Sequence, residues 1–274
     1  MALGFGEISS AFGGLEHTMK IHYEELDEIG RYIRNQKQYG LQGKTAQYER
    51  YLRSIRKARK VDSGTRMLEV GTGTGWFPLL CKANGLQCKG LEISPQLIKV
   101  AMELGAANGI EPDIELGNVE DTDIGTEEYD AIVASSVFEH VEKWYDGLTR
   151  VYRALRPGGV LFFESSNKFS LKPTECPVPF YGWLPDRLRY RLRIMAQGPK
   201  IMNLGIDFNQ FRYPQLRRAL REIGFQTILD AVDLSELGRL RGLKKAMMAT
   251  AKRNGLARSI LLTFMDATTL VCIK

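Results

Sequence analysis

Apolar residues near the start of the chain fall at helical spacing. Ile21, Leu26, Ile29 and Ile33 mark one such run within residues 16–60, and residues 44–60 read as a second, basic helix that stops before Asp62-Ser-Gly. Residues 1–15 carry Gly, Ala and Ser with little pattern. Short apolar runs then replace the helical period. Strands are predicted near 66–70, 87–92, 112–116, 129–134 and 158–164, with helices near 75–84, 95–108, 141–155 and 214–223. Pro95 in a first helical turn and Gly109 just past a helix fit the asymmetry of helix ends. Alternating strands and helices argue for a parallel sheet covered on both faces.

Two stretches interrupt this alternation and read as insertions. Residues 165–213 hold Pro173, Pro177, Pro179, Tyr181, Trp183 and Pro185, then place Leu188, Leu192 and Met195 on one helical face. Residues 234–263 place Leu240, Leu243 and Met247 on another, with basic residues beside them.

The stretch Met67-Leu-Glu-Val-Gly-Thr-Gly-Thr-Gly-Trp76 changes the picture from fold to chemistry. It reads as a strand, a glycine-rich turn and a helix start. Glycines allow a sharp turn and let a ligand lie against bare main chain, and the helix start offers unpaired N–H groups. A dinucleotide fingerprint needs a third glycine where this chain has Trp76. The acid Glu69, two residues before Gly71, is foreign to that fingerprint too and suits a cationic group such as an amino-acid ammonium.

Here the chain resembles the class I S-adenosylmethionine-dependent methyltransferases, in the broad branch that includes quinone-pathway and natural-product enzymes. Glu69, Gly71, Thr72, Gly73 and Gly75 match the glycine-rich first motif without a gap. Leu91-Glu92-Ile93-Ser94 resembles the end of the second strand, whose acid accepts from both ribose hydroxyls. Gly117-Asn118-Val119-Glu120-Asp121 sits where a side chain meets the adenine amino group and the next backbone N–H meets the ring. Tyr129 to Ser136 resembles the fourth strand, with Ser135 at its end, and Phe138-Glu-His-Val141 follows. Leu155-Arg-Pro-Gly-Gly159 resembles the turn into the fifth strand. The matches span about residues 60–170 in the family's order. The resemblance implies a Rossmann-like α/β fold with a seven-stranded mixed sheet whose last strand is antiparallel. Residues 225–229 and 268–273 are then strands six and seven. Residues 1–60 become an N-terminal helical cap and 61–274 the cofactor-binding domain. The implied cofactor is S-adenosyl-L-methionine, held by Glu69, Gly71, Thr72, Gly73, Gly75, Glu92, Ile93, Asn118, Val119, Glu120 and Ser135.

Two positions depart from the family. Asn118 stands where an Asp is common, and its amide oxygen can still accept from an amine. Relatives with a metal site place two carboxylates and a histidine around the fourth strand; the first acid would fall at Ser136. A hard cation wants several oxygen ligands, so no metal is expected.

Composition adds bounds. The 274 residues suffice for one large α/β domain. Neither a signal peptide nor a membrane-length apolar run is visible. Cys81, Cys88, Cys176 and Cys272 are scattered and read as plain thiols of a reducing, cytoplasmic compartment. The net charge of +6 is mild but concentrated: residues 239–258 carry seven Lys or Arg and no acid. Such runs attract phosphates, anionic lipids or nucleic acid, or simply form a solvated face.

Methyl transfer to a hydroxyl needs a general base. His140, just past the fourth strand, is the candidate, with packing under the cofactor or helix capping as the plainer role. His17 and His22 read as surface residues. Phe180, Tyr181, Trp183, Tyr190, Phe208 and Phe211 are candidates for an apolar acceptor pocket, or for core. The expected reaction is methylation of an oxygen, with nitrogen or carbon as alternatives, on a small-molecule or lipid-like acceptor. Peripheral contact with an anionic membrane is expected from the basic amphipathic insertions. An RNA or protein methyltransferase, or a cofactor-binding protein without catalysis, remains as the other reading. Nucleic acid is disfavoured, since no appended RNA-binding module is seen and Ala134-Ser-Ser-Val137 lacks the amine-methylating motif.

Overall fold

Strands buried on both faces must be apolar at nearly every position, and the central segments are. The computed structural model describes residues 38–170, 180–199 and 211–274, with positions 30, 33, 34 and 178 besides. Among them, Arg66–Val70 (β1), Gln87–Glu92 (β2), Ile114–Leu116 (β3), Tyr129–Ser135 (β4), Leu155–Ser166 (β5), Thr227–Asp230 (β6) and Ala267–Ile273 (β7) form one sheet. Its order is β3-β2-β1-β4-β5-β7-β6. The first five strands run parallel, and β7 pairs antiparallel with both β5 and β6. This is the seven-stranded mixed sheet expected.

Successive side chains leave opposite faces of a strand. Leu68, Val70, Ile132, Ala134, Leu161 and Phe163 enter one core cluster; Met67, Ala131, Val133, Val160 and Phe162 enter the other. The helix Thr45–Arg56 (α1) covers the second face with Tyr48, Tyr51, Leu52 and Ile55, and so does Trp76–Ala83 (α2). Pro95–Ala106 (α3) follows β2, and its Ser94 cap accepts from the Leu97 N–H. Trp144–Ala154 (α4) covers the first face, followed beyond β5 by Asp186–Gln197 (α5) and Tyr213–Ile223 (α6). Between β6 and β7 lie Ala231–Leu234 (α7), Gly242–Arg253 (α8) and Gly255–Phe264 (α9).

The two insertions leave most of their apolar stripes exposed. On α5, Leu188 and Met195 are exposed, and the interior takes Arg189, 1% exposed, and Arg193. The Arg189 guanidinium lies over the rings of Tyr181 and Tyr190, so aromatic faces receive the charge. On α8 the buried residues are Met248 and Ala251. Leu240 precedes that helix and packs on the core, while Leu243 (76% exposed) and Met247 face outward. Expectations for His17, His22, Cys176 and Phe208 lie outside the described residues. No helix among the described residues is long and apolar enough to cross a membrane.

Candidate active site

The sheet order turns outward in both directions between β1 and β4, which leaves a crevice at the carboxyl ends of the parallel strands. Every predicted cofactor residue comes to this edge. The loop after β1 is held down where the Gly71 and Thr72 N–H groups donate to the Leu91 carbonyl at 2.8 and 3.1 Å. Gly71, Gly73 and Gly75 all have positive φ, from 58 to 68°, a backbone that L side chains rarely adopt. A Cβ on Gly71 would collide with Val137, and one on Gly75 would stand 2.7 Å from Ala101 Cβ. The loop is therefore a bare main-chain cradle, and the residues present fit a ligand laid across it.

Two carboxylates flank the cradle. Glu92, at the end of β2 and 4% exposed, accepts from the Gly73 N–H at 2.6 Å and the Ser94 N–H at 3.0 Å. Burial raises its pKa, and those backbone bonds oppose the rise. Glu69, also 4% exposed, accepts from the Thr72 hydroxyl. Burial pushes its pKa up to about 8, with the Thr72 bond pulling it down, the nearby Glu92 charge adding to the rise and Lys44 opposing it.

Lys44 went unseen in the sequence. It precedes α1, lies half-buried, and holds its ammonium 5.3 Å from the Trp76 ring centroid. Burial lowers its pKa while Glu69 raises it. Arg50 was missed too. It makes a paired salt bridge to Glu164 of β5 at 2.5 and 2.8 Å. Burial raises the Glu164 pKa, but the Arg50 bonds and charge outweigh that and hold it low. Thr269 and Ser135 also donate to Glu164, and the Tyr51 hydroxyl donates to Ser135 Oγ at 2.7 Å. This network clamps α1 onto the carboxyl ends of β4 and β5 and the start of β7. It also occupies the Ser135 hydroxyl, leaving that residue's backbone for any ligand.

The loop after β3 closes on itself. Asn118 Oδ1 accepts from the Glu120 N–H at 3.1 Å, and Glu120 Oε1 accepts from the Lys143 N–H at 2.8 Å. Val119 points into the core, so only its backbone faces the crevice. Ile93 is exposed beside Glu92. Past β4, Ser136 takes a positive φ of 57°, a strained conformation of the kind found at functional turns. Glu139 is buried and accepts from the Ser165 hydroxyl at 2.9 Å, whereas His140 is exposed. The aromatic candidates divide. Tyr181 and Phe211 are buried. Trp183 instead clusters with Phe169, Phe180 and Phe264, with ring centroids 5.4–5.6 Å apart, and stays partly open to solvent.

A family model described as a methyltransferase domain matches residues 43–230. The ubiquinone biosynthesis O-methyltransferase of Xanthomonas oryzae is 31% identical over 107 residues, 39% of this chain and 45% of that protein. Ajmaline N-methyltransferase of Rauvolfia serpentina is 30% identical over 112 residues, 40% and 38% of the two chains. The chain thus spans less than half the length of these curated relatives. Among solved structures, a Thermotoga maritima methyltransferase described as a possible histamine N-methyltransferase shares the fold. Its TM-score is 0.54 at 16% identity, over 94% of this chain and all of the other. With most of its length matched by the family model and with this sheet, the chain belongs to the methyltransferase-domain family, the class I enzymes whose cofactor is S-adenosylmethionine.

Proposed function

We propose that the chain transfers a methyl group from S-adenosylmethionine to an oxygen of a small-molecule or lipid-like acceptor. The observation that carries this reading is the convergence of Glu69, the positive-φ glycine loop and Glu92 at the crevice between β1 and β4. In this reading Glu92 accepts from the ribose hydroxyls and Ile93 packs against the nucleoside. The Asn118 and Val119 loop meets the adenine. Glu69 takes the ammonium of the amino-acid portion, and Lys44 takes its carboxylate. The bound cofactor supplies a methyl group on a sulfonium that is its own leaving group. The protein's part is to align the acceptor oxygen and move one proton. His140, exposed just past β4, accepts that proton on its imidazole. The Trp183 ring cluster offers apolar surface to the acceptor. The two similar curated proteins are named for O- and N-methylation of small molecules, which favours an acceptor of that size. A methyl-transfer screen over quinol, lipid and glycosylated hydroxyl acceptors, read by product mass, tests this. Product with a hydroxyl acceptor supports it; transfer only to RNA or protein would replace it.

Glu69 gives the reading a pH signature. Its pKa of about 8 means the ligand-free protein holds a proton there at neutral pH. A raised carboxylate pKa binds protons that the unfolded chain releases, so this group's contribution to stability falls as pH rises toward 8. Pairing with an ammonium requires the carboxylate. Binding of S-adenosylhomocysteine at pH 7 should therefore release close to one proton, measured by calorimetry in buffers of different ionisation enthalpy. Glu69→Gln should abolish the release; equal release in that variant would remove Glu69 from the ammonium site.

The same reading includes docking on an anionic lipid surface. Leu243 and Met247 are exposed on α8, one turn apart, and Arg241, Lys244 and Lys245 are exposed beside them. Each such cation contributes about 1 kcal/mol near an anionic bilayer, screened by salt. Flotation with phosphatidylserine-containing vesicles should be lost in high salt and in Lys244→Glu/Lys245→Glu. Protein that never floats at low salt contradicts docking.

A further inference from the structure

The edge of the sheet farthest from the glycine loop carries a second concavity. β6 lies four strands from β1, roughly 19 Å at the usual strand spacing. Outside it, α6 and the start of α9 enclose a cleft of about 800 Å³. Pro214, Arg217, Arg218 and Arg221 line it from α6 at spacings of three and four, which is one helical face, and the carboxylate Glu222 lines it beside them. Arg258 and Ser259 line the opposite wall from α9, with Ile228 and Asp233 between.

The four guanidinium groups are not equivalent. Arg258 is fixed by Asp230 at 2.7 and 2.9 Å and by Asp233. Arg218 pairs with Glu222 at 2.8 Å along the helix surface. Arg217 and Arg221 have no carboxylate within 4 Å among the described residues. The Arg217 Nε is buried and donates to nothing there. That Nε is closed to solvent, so a ligand in the cleft would meet the terminal N–H groups of Arg217. Here Arg217, Arg218 and Arg221 line one wall of a hollow and Arg258 the other.

We propose that this cleft binds a phosphate group. The planar forks of Arg217 and Arg221 each present two parallel N–H donors, which suits phosphate oxygens better than lysines would. Arg258, held by its two aspartates, supplies a third preset guanidinium at the wall. The volume admits the body of a small phosphorylated molecule or the headgroup of a phospholipid. The site is separate from the crevice at β1 and β4, so its fate says nothing about methyl transfer.

The test is calorimetry of the full chain with inorganic phosphate, at constant ionic strength against chloride. Saturable binding is expected, weakened at least tenfold in Arg217→Gln/Arg221→Gln and unchanged in Arg187→Gln, which lies on α5. Binding of S-adenosylhomocysteine reports that each variant is folded. Arg221→Gln, an exposed position, serves alone if the double variant does not fold. A second arm uses phosphatidic acid in phosphatidylcholine vesicles. Vesicle binding that phosphate displaces, and that the double variant loses, identifies a lipid headgroup. Phosphate binding without vesicle binding identifies a soluble phosphorylated ligand. Absence of binding in both arms, or binding that the double variant keeps, overturns the proposal.

Discussion

Glu92→Ala should weaken S-adenosylhomocysteine binding at least tenfold in calorimetry. Glu92 is the acid at the end of β2, buried to 4% and aimed at the glycine loop. Its two oxygens already take the Gly73 and Ser94 N–H groups, so the carboxylate is held in one orientation before any ligand arrives. Hydrogen bonds to a charged acceptor contribute about 1.5–3 kcal/mol, and alanine removes the acceptor from two ribose hydroxyls while also freeing the loop. Glu92→Gln keeps the shape and loses the charge, so it should fall between. Unchanged affinity in Glu92→Ala would remove the ribose role. Wild-type binding of NADH would argue against the family's cofactor mode altogether.

Asp230→Ala should strongly destabilise the fold outside the site. Asp230 is fully buried at the end of β6. It accepts from the Tyr213 hydroxyl at 2.6 Å, from Arg258, and from the Val232 and Asp233 N–H groups at the start of α7. Burial and the Asp230 bond both raise the Tyr213 pKa, so that hydroxyl stays a donor. Removing one partner of a buried ion pair typically costs about 3–5 kcal/mol. Asp233 still holds Arg258, which places the expected loss near the lower figure, about 3 kcal/mol. Chemical denaturation should show it as a lower midpoint. A midpoint equal to the wild type's would contradict this account of the β6–α9 corner.

The strands were legible because burial on both faces leaves their middles almost wholly apolar. Ile-Val-Ala in β4 and Leu-Phe-Phe in β5 feed two cores by simple alternation. The start of β5 was missed. Residues 155–159 hold Pro157, Gly158 and Gly159, yet the segment continues the strand, and the Gly158 N–H and Gly159 carbonyl bond the Lys274 backbone. Only the last strand's position could reveal that. The inner face of α5 was not legible because Leu188 and Leu192, like Arg189 and Arg193, are four residues apart. Periodicity finds both stripes but cannot choose between them, and Tyr181 and Tyr190 made the arginine stripe the inner one.

The loops to which we assign cofactor contacts were readable as motifs because each is a local run of sequence. Lys44 and Arg50 were not, because their partners are distant in sequence: Glu164 is 114 residues from Arg50. A basic helix offers no local sign of which cation will be turned inward. Ser135 was placed correctly at the strand end, but its hydroxyl is engaged by Tyr51 from α1, a contact no strand pattern contains.

The most direct test of the central claim is the crystal structure of the full chain with S-adenosylhomocysteine. The account predicts ribose hydroxyls within hydrogen-bond distance of Glu92, the amino-acid end over Gly71–Gly75 between Glu69 and Lys44, and adenine against the loop at Asn118 and Val119. A ligand seated elsewhere, or bound at this crevice with Glu92 turned away from the ribose, would contradict it.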